Sequence, residues 1–100
     1  MAKGFILALV EIPDVDAYAA SSYMRMAEEA VAAHGGRFLI RGGDPLLLEG
    51  TGLPGRIVVL EFPSREAAAA FHASQAYAPA IALRQSLSTG RLVLLSEYEP

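Results

Sequence analysis

The sequence contains no cysteine. Disulfides, thiolate catalysis and cysteine-ligated zinc are therefore excluded. Tryptophan is also absent, and there are only two histidines, His34 and His72, neither with a ligand-spaced partner. No metal is expected on that basis. Basic residues are few and scattered: 8 Lys and Arg against 11 Asp and Glu give a net charge of −3 and a pI of about 5.2. Nucleic-acid binding needs a positive patch or stripe, so no nucleic-acid partner is expected. Long apolar runs are missing too. Met1-Ala2-Lys3-Gly4 leads into a strand-like stretch that ends at Glu11, too short to span a bilayer. The charged, apolar and small-residue order of a signal peptide does not follow. The expectation is a cytoplasmic protein with no membrane contact and no cofactor.

What the sequence does have is apolar residues. Its 100 residues suit a single domain, residues 1–100. Yet 53% of them are hydrophobic and the mean hydropathy is +0.34. That exceeds what a small domain needs for one core. Either the excess is alanine on helix surfaces, or strands are apolar on both faces and the second face is covered.

The strands discriminate between these. Phe5 to Ile12 is short, apolar and stopped by Pro13. Asp14 is placed to cap a helix over Val15–Ala33, with Ala19, Tyr23, Ala27, Ala30, Val31 and His34 on one face. Gly35-Gly36 ends that helix. Arg37–Arg41 is a second strand, which Gly42-Gly43-Asp44-Pro45 interrupts as a bulge or bend before Leu46–Glu49 resumes extended structure. A loop at 50–55 precedes a β-branched third strand, Arg56–Phe62. Ser64 caps a second helix, which breaks between Ser74 and Ala78. Pro79 opens a further short helix, Gly90 closes it, and Arg91–Tyr98 is the last strand. The order β-α-β-β-α-β with right-handed crossovers predicts an α+β, ferredoxin-like fold: a four-stranded antiparallel sheet with its helices on one face.

Alternation within the strands places Leu7, Leu9, Val59, Val93 and Leu95 on the face that the helices leave open. So large an apolar face requires a cover. The simplest cover is the same face of a second copy, which predicts a homodimer. The odd-numbered register also carries Glu11, Arg37, Arg41, Glu61, Arg91 and Glu97. With strands one and three taken as parallel neighbours, Glu11, Glu61, Arg37 and Arg91 share one end of the sheet. Arg41 and Glu97 share the other. These charges either line the mouth of a cavity between two sheets or sit in solvent as weak ion pairs.

Five residues form the candidate ligand site: Arg37, Arg41, Glu61, Tyr23 and His72. Arginine offers a rigid fork suited to carboxylate or phosphate, and Arg37 and Arg41 are expected to share a face of strand two. Glu61, opposite the start of that strand, would orient Arg37. Tyr23 lies on the sheet-facing side of the first helix, where its phenol either reaches a ligand or bonds backbone. His72 projects away from the Phe71 face, as a surface or interface residue, or as a general base or a haem ligand. His34, in a last helical turn, suits a capping role. Arg84 has a spacing that could turn it inward as an anion anchor; the alternative is a solvated side chain. Tyr77 is a lid, an interface anchor or a packing residue.

Three segments together resemble a known family. Gly35-Gly36-Arg37-Phe38-Leu39-Ile40-Arg41-Gly42-Gly43 is the most specific. Val59-Leu60-Glu61-Phe62-Pro63-Ser64, followed by an alanine-rich helix with Phe71, Ser74 and Tyr77, is the second, and Pro13-Asp14 with Tyr18 is the third. Over nearly the whole chain they resemble the domain of unknown function 1330 family, with departures at His72 and Ala76. The resemblance implies a dimeric α/β-barrel, two ferredoxin-like sheets packed face to face, and carries no assigned activity. Proteins alike at fold level include cofactor-free monooxygenases, small isomerases and haem enzymes. Two functions remain open: binding or transformation of a small anionic or aromatic metabolite without a tightly bound cofactor, or a non-catalytic homodimeric interaction module.

Overall fold

The computed structural model describes residues 2–53 and 55–100; Met1, and Pro54 within the expected loop at 50–55, lie outside the described residues. The first strand, β1 (Gly4–Glu11), is followed by α1 (Val15–Ala20) and α2 (Tyr23–Ala33). Asp14 caps α1, its carboxylate accepting from the Ala17 N–H at 3.0 Å. The single helix expected over Val15–Ala33 is thus two. The break has a local cause. Ser21 donates its hydroxyl to the Tyr18 carbonyl oxygen at 2.7 Å and accepts from the Tyr23 N–H at 3.3 Å, so its side chain competes with the helical ladder. Gly35 leaves α2 with φ +73°, a conformation glycine adopts without strain.

The second strand, β2 (Arg37–Gly42), ends at three successive residues of positive φ, Gly42, Gly43 and Asp44. They turn the chain away from the sheet. Leu46, Leu47 and Leu48, expected as extended structure, join no strand and are exposed. The chain returns as β3 (Arg56–Phe62). Ser64 caps α3 (Arg65–Ala73), accepting from the Ala67 N–H at 3.0 Å. Pro79 lies in the first turn of α4 (Ala78–Leu87). Gly90, expected to close that helix, is the second residue of β4 (Thr89–Ser96).

The four strands lie in the order β2-β3-β1-β4, every neighbouring pair antiparallel. This is the ferredoxin-like topology. It corrects the placement of β1 and β3 as parallel neighbours. Each crossover joins strands that are parallel but one position apart, so β1 is left antiparallel to both of its own neighbours. Phe5 pairs with Glu61 and Val10 with Arg56. One end of the sheet therefore carries Lys3, Arg37, Glu61 and Glu97. The other carries Glu11, Arg41, Arg56 and Arg91.

Even-numbered residues of β1, β3 and β4 face the helices. Ile6, Leu60 and Phe62 pack against Ala27, Ala30 and Val31 of α2, Ala68 and Phe71 of α3, and Ala80 of α4. The Phe71 ring is fully buried between Phe62 and Tyr77, with centroids 5.1 and 4.3 Å away. Gly36 makes room for this cluster: a Cβ there would sit 2.5 Å from the Phe62 ring. The opposite face, which carries the odd-numbered residues of those three strands, is open. Ile40 (45% exposed), Val93 (41%) and Leu95 (43%) lie on it. The Cα envelope, 39 × 37 × 16 Å, is that of a two-layer slab with one layer of helices.

Candidate anion pocket

One extra residue in β2 decides the site. Phe38 pairs with Leu60 and Ile40 with Val59, so Leu39 forms a β-bulge. Arg37, before the bulge, stands opposite Glu61 on the open face. Arg41, after it, stands opposite Val58 on the helix face. The expected partnership of Arg37 and Arg41 is overturned, because a one-residue slip sends every later side chain to the other side of the sheet.

On the open face, Glu61 is held between two cations. Lys3 Nζ lies 2.8 Å from its Oε1, and Arg37 Nε donates to its Oε2. Glu61 therefore does orient Arg37, with Lys3 as a third member. Bonds from Lys3 and then Arg37 lower the Glu61 pKa below its ordinary 4.5. A carboxyl with a lowered native pKa stabilises the fold above its unfolded pKa, and that contribution fades as pH falls through the native value. Glu61→Gln should accordingly be less stable than the parent at pH 7. The gap should shrink below about pH 4.5 and close in stronger acid. Denaturant titrations across that range would show it, and a pH-independent gap would count against the pairing.

On the helix face, the bulge delivers Arg41 to an enclosed pocket between sheet and helices, with about 40 Å³ open to the centre of a water molecule. That is room for about three waters, or a small ligand. The floor and walls are apolar: Val10, Val58, Leu60, Phe38 and Leu92. The polar end is made of three arginines, Arg41, Arg56 and Arg84, and three tyrosines, Tyr18, Tyr23 and Tyr77. No carboxylate lines it among the described residues.

Each polar group has an identifiable origin. Arg56 is brought in by the even-numbered register of β3, opposite Val10. Arg84 shares a helical face with Ala80, one turn before it, and both are buried. Tyr23 and Tyr77 meet hydroxyl to hydroxyl at 2.8 Å, joining α2 to the start of α4. Burial, and then its tyrosine partner, push the Tyr23 pKa well above the ordinary range. Burial raises that of Tyr18 against the opposing pull of Arg56, Arg84 and Arg41. Both phenols are therefore neutral donors at physiological pH, surrounded by positive charge.

The arginines differ in their partners. Arg41 bonds Glu28 of α2 at 2.6 Å and lies over the Phe38 ring, 4.1 Å from its centroid. Arg84 is 6% exposed, its Nε makes no hydrogen bond, and among the described residues no carboxylate lies within 4 Å of it. Of the sequence-derived set, then, Tyr23 and Arg41 reach the pocket, while Arg37 and Glu61 sit across the sheet. His72 is exposed, in a shallow recess with Ala68, Ala69 and β4. Among the described residues no cluster of three or more His, Cys, Asp or Glu side chains could hold a metal, and no helix is long and apolar enough to cross a membrane.

A model of the family described as domain of unknown function (DUF1330) matches residues 3–98. The chain belongs to the DUF1330 family. Among solved structures, this DUF1330 chain resembles RPA0582 of Rhodopseudomonas palustris, a protein of unknown function, at 24% identity and a TM-score of 0.74, over 98% of this chain and 84% of that one. It resembles SnoaB of Streptomyces nogalater, a cofactor-independent oxygenase, at 17% identity and a TM-score of 0.60, over 99% and 95% of the two chains. Rv0793 of Mycobacterium tuberculosis is similar at 17% identity and a TM-score of 0.54, over 100% and 98%. At these identities the likeness concerns the fold. No curated protein matches the DUF1330 chain.

Proposed function

We propose that this protein binds a small anionic molecule in the pocket beneath its helices, and acts on it without a tightly bound cofactor. The observation that carries this reading is Arg84. An arginine buried without a counter-charge is costly unless something else supplies the negative charge. Its open Nε and two neighbouring guanidiniums offer that place to a ligand. The phenols of Tyr23 and Tyr77 supply hydrogen bonds that would fix the ligand's orientation. The fold likeness to a cofactor-independent oxygenase supports small-molecule chemistry of this type by analogy.

Arg84→Met tests the reading through stability as well as binding. Removing an uncompensated cation should raise the stability of the ligand-free protein, by on the order of 1 kcal/mol. The same change should abolish any thermal shift produced by small carboxylates. A variant that loses stability and keeps the ligand shift would sink the proposal.

A second reading, a homodimeric module built on the open sheet face, is favoured by the exposed Ile40, Val93 and Leu95. The two are compatible, since pocket and open face lie on opposite sides of the sheet.

A further inference from the structure

The pocket is built for more charge than one small anion carries. Three guanidiniums border it, and one of them, Arg41, is neutralised by Glu28. Arg56 resembles Arg84 in having no carboxylate within 4 Å among the described residues. Two guanidiniums with no carboxylate within 4 Å among the described residues therefore line this pocket, Arg84 buried and Arg56 half-buried. They also approach from different walls: Arg56 rises from the first position of β3, and Arg84 descends from α4. Tyr18 lines the same pocket as both guanidiniums. A single carboxylate offsets one of these two charges and leaves the other without a counter-charge.

Resting on the anion-site reading above, we infer that the ligand is a short dicarboxylate, one carboxylate on Arg84 and the other on Arg56. The apolar part of the lining favours this over inorganic phosphate. Val10, Val58 and Leu92 are apolar and suit a carbon chain, which phosphate lacks. The cavity volume keeps that chain short.

The experiment is isothermal titration of the whole chain with malonate, succinate, propionate and inorganic phosphate. Malonate or succinate should bind at least about tenfold more tightly than propionate, because only they engage both forks. Arg56→Gln should bring the dicarboxylates down to the propionate level and should weaken propionate much less than it weakens them. Arg84→Gln should weaken all of them. Arg56→Lys, which keeps the charge and loses the fork, should recover part of the dicarboxylate advantage. The comparison of ligands on the parent protein stands even if a variant fails to fold. Equal affinity for propionate and succinate, both lost in Arg84→Gln, would overturn the dicarboxylate while leaving the anion site in place. Phosphate binding more tightly than either dicarboxylate would also overturn it. No binding by any of the four, together with an unchanged Arg84→Gln variant, would overturn both readings.

Discussion

Truncating Phe71 to alanine is expected to destabilise the protein by about 3–5 kcal/mol. The ring is fully buried and stacked between Phe62 of β3 and Tyr77 before α4. Its removal takes away the transfer free energy of a large apolar side chain and leaves a void walled by two other rings. Those neighbours cannot collapse into the void easily. Phe62 is held in its strand against Gly36, and Tyr77 is tied through its hydroxyl to Tyr23. Small domains have net stabilities of about 5–15 kcal/mol, so the variant should lie close to its unfolding threshold. Urea denaturation would show a lower midpoint at an unchanged slope. A loss below about 1 kcal/mol would mean that the aromatic stack is not what joins the helix layer to the sheet. The same variant should lose affinity at the pocket, because Phe71 and Tyr77 both line it.

The second large effect is expected at Val59. This residue pairs with Leu7 of β1 and Ile40 of β2 on the open face. If that face joins two copies, Val59→Asp buries an unpaired carboxylate twice, once from each subunit of the symmetric interface. The desolvation penalty is several kcal/mol per ion, enough to raise the dimer dissociation constant by orders of magnitude. If the chain works alone, the same substitution adds a charge to a surface strand and changes stability by only about 0.5 kcal/mol. Sedimentation velocity separates these outcomes. A parent chain that sediments only as a monomer at micromolar concentration would remove the dimer from the proposal, and an Asp variant that stays dimeric would move the interface elsewhere.

The fold was legible because its signals are local and repeated. Pro13 and Pro63 stop strands, Asp14 and Ser64 cap helices, and alternation in β1 and β3 separates a helix-facing set from an open one. The family could be recognised from the run Gly35–Gly43 for a related reason: both its glycines and its strand are structurally constrained. The site was only half legible. Tyr23 was placed correctly because it follows the helical period of the buried alanines. Strand alternation places Arg41 beside Arg37 on the open face, and the structure turns it to the helix face, since nothing in Phe38-Leu39-Ile40 announces a bulge. Arg37 and Glu61 form the pair expected of them, but it faces away from the pocket. Arg56 reads in the sequence only as the first residue of a strand, although its register with Val58 and Leu60 points it toward the helices. Arg84 could be seen as a possible inward residue from its spacing to Ala80. Only its packing distinguishes a buried guanidinium from a solvated one. His72 is a candidate on its chemistry alone, and its position at an exposed helix face removes it from the pocket.

The strand order has a further consequence for how the molecule comes into being. Of the four strands, β1 leaves the ribosome earliest, yet it is a central strand whose partners are β3 and β4. Its ladder cannot begin until β3 has emerged, and cannot be completed until Thr89–Ser96 has followed. Folding should therefore be slow for a chain of this length, governed by the closing of long loops rather than by helix formation. Throughout synthesis the segment Phe5–Val10, apolar on both faces and without a single charge, waits unpaired. Such a segment is prone to intermolecular pairing while it waits. Its flanking residues, Lys3 on one side and Glu11 with Pro13 on the other, are the kind that discourage such pairing in the nascent chain.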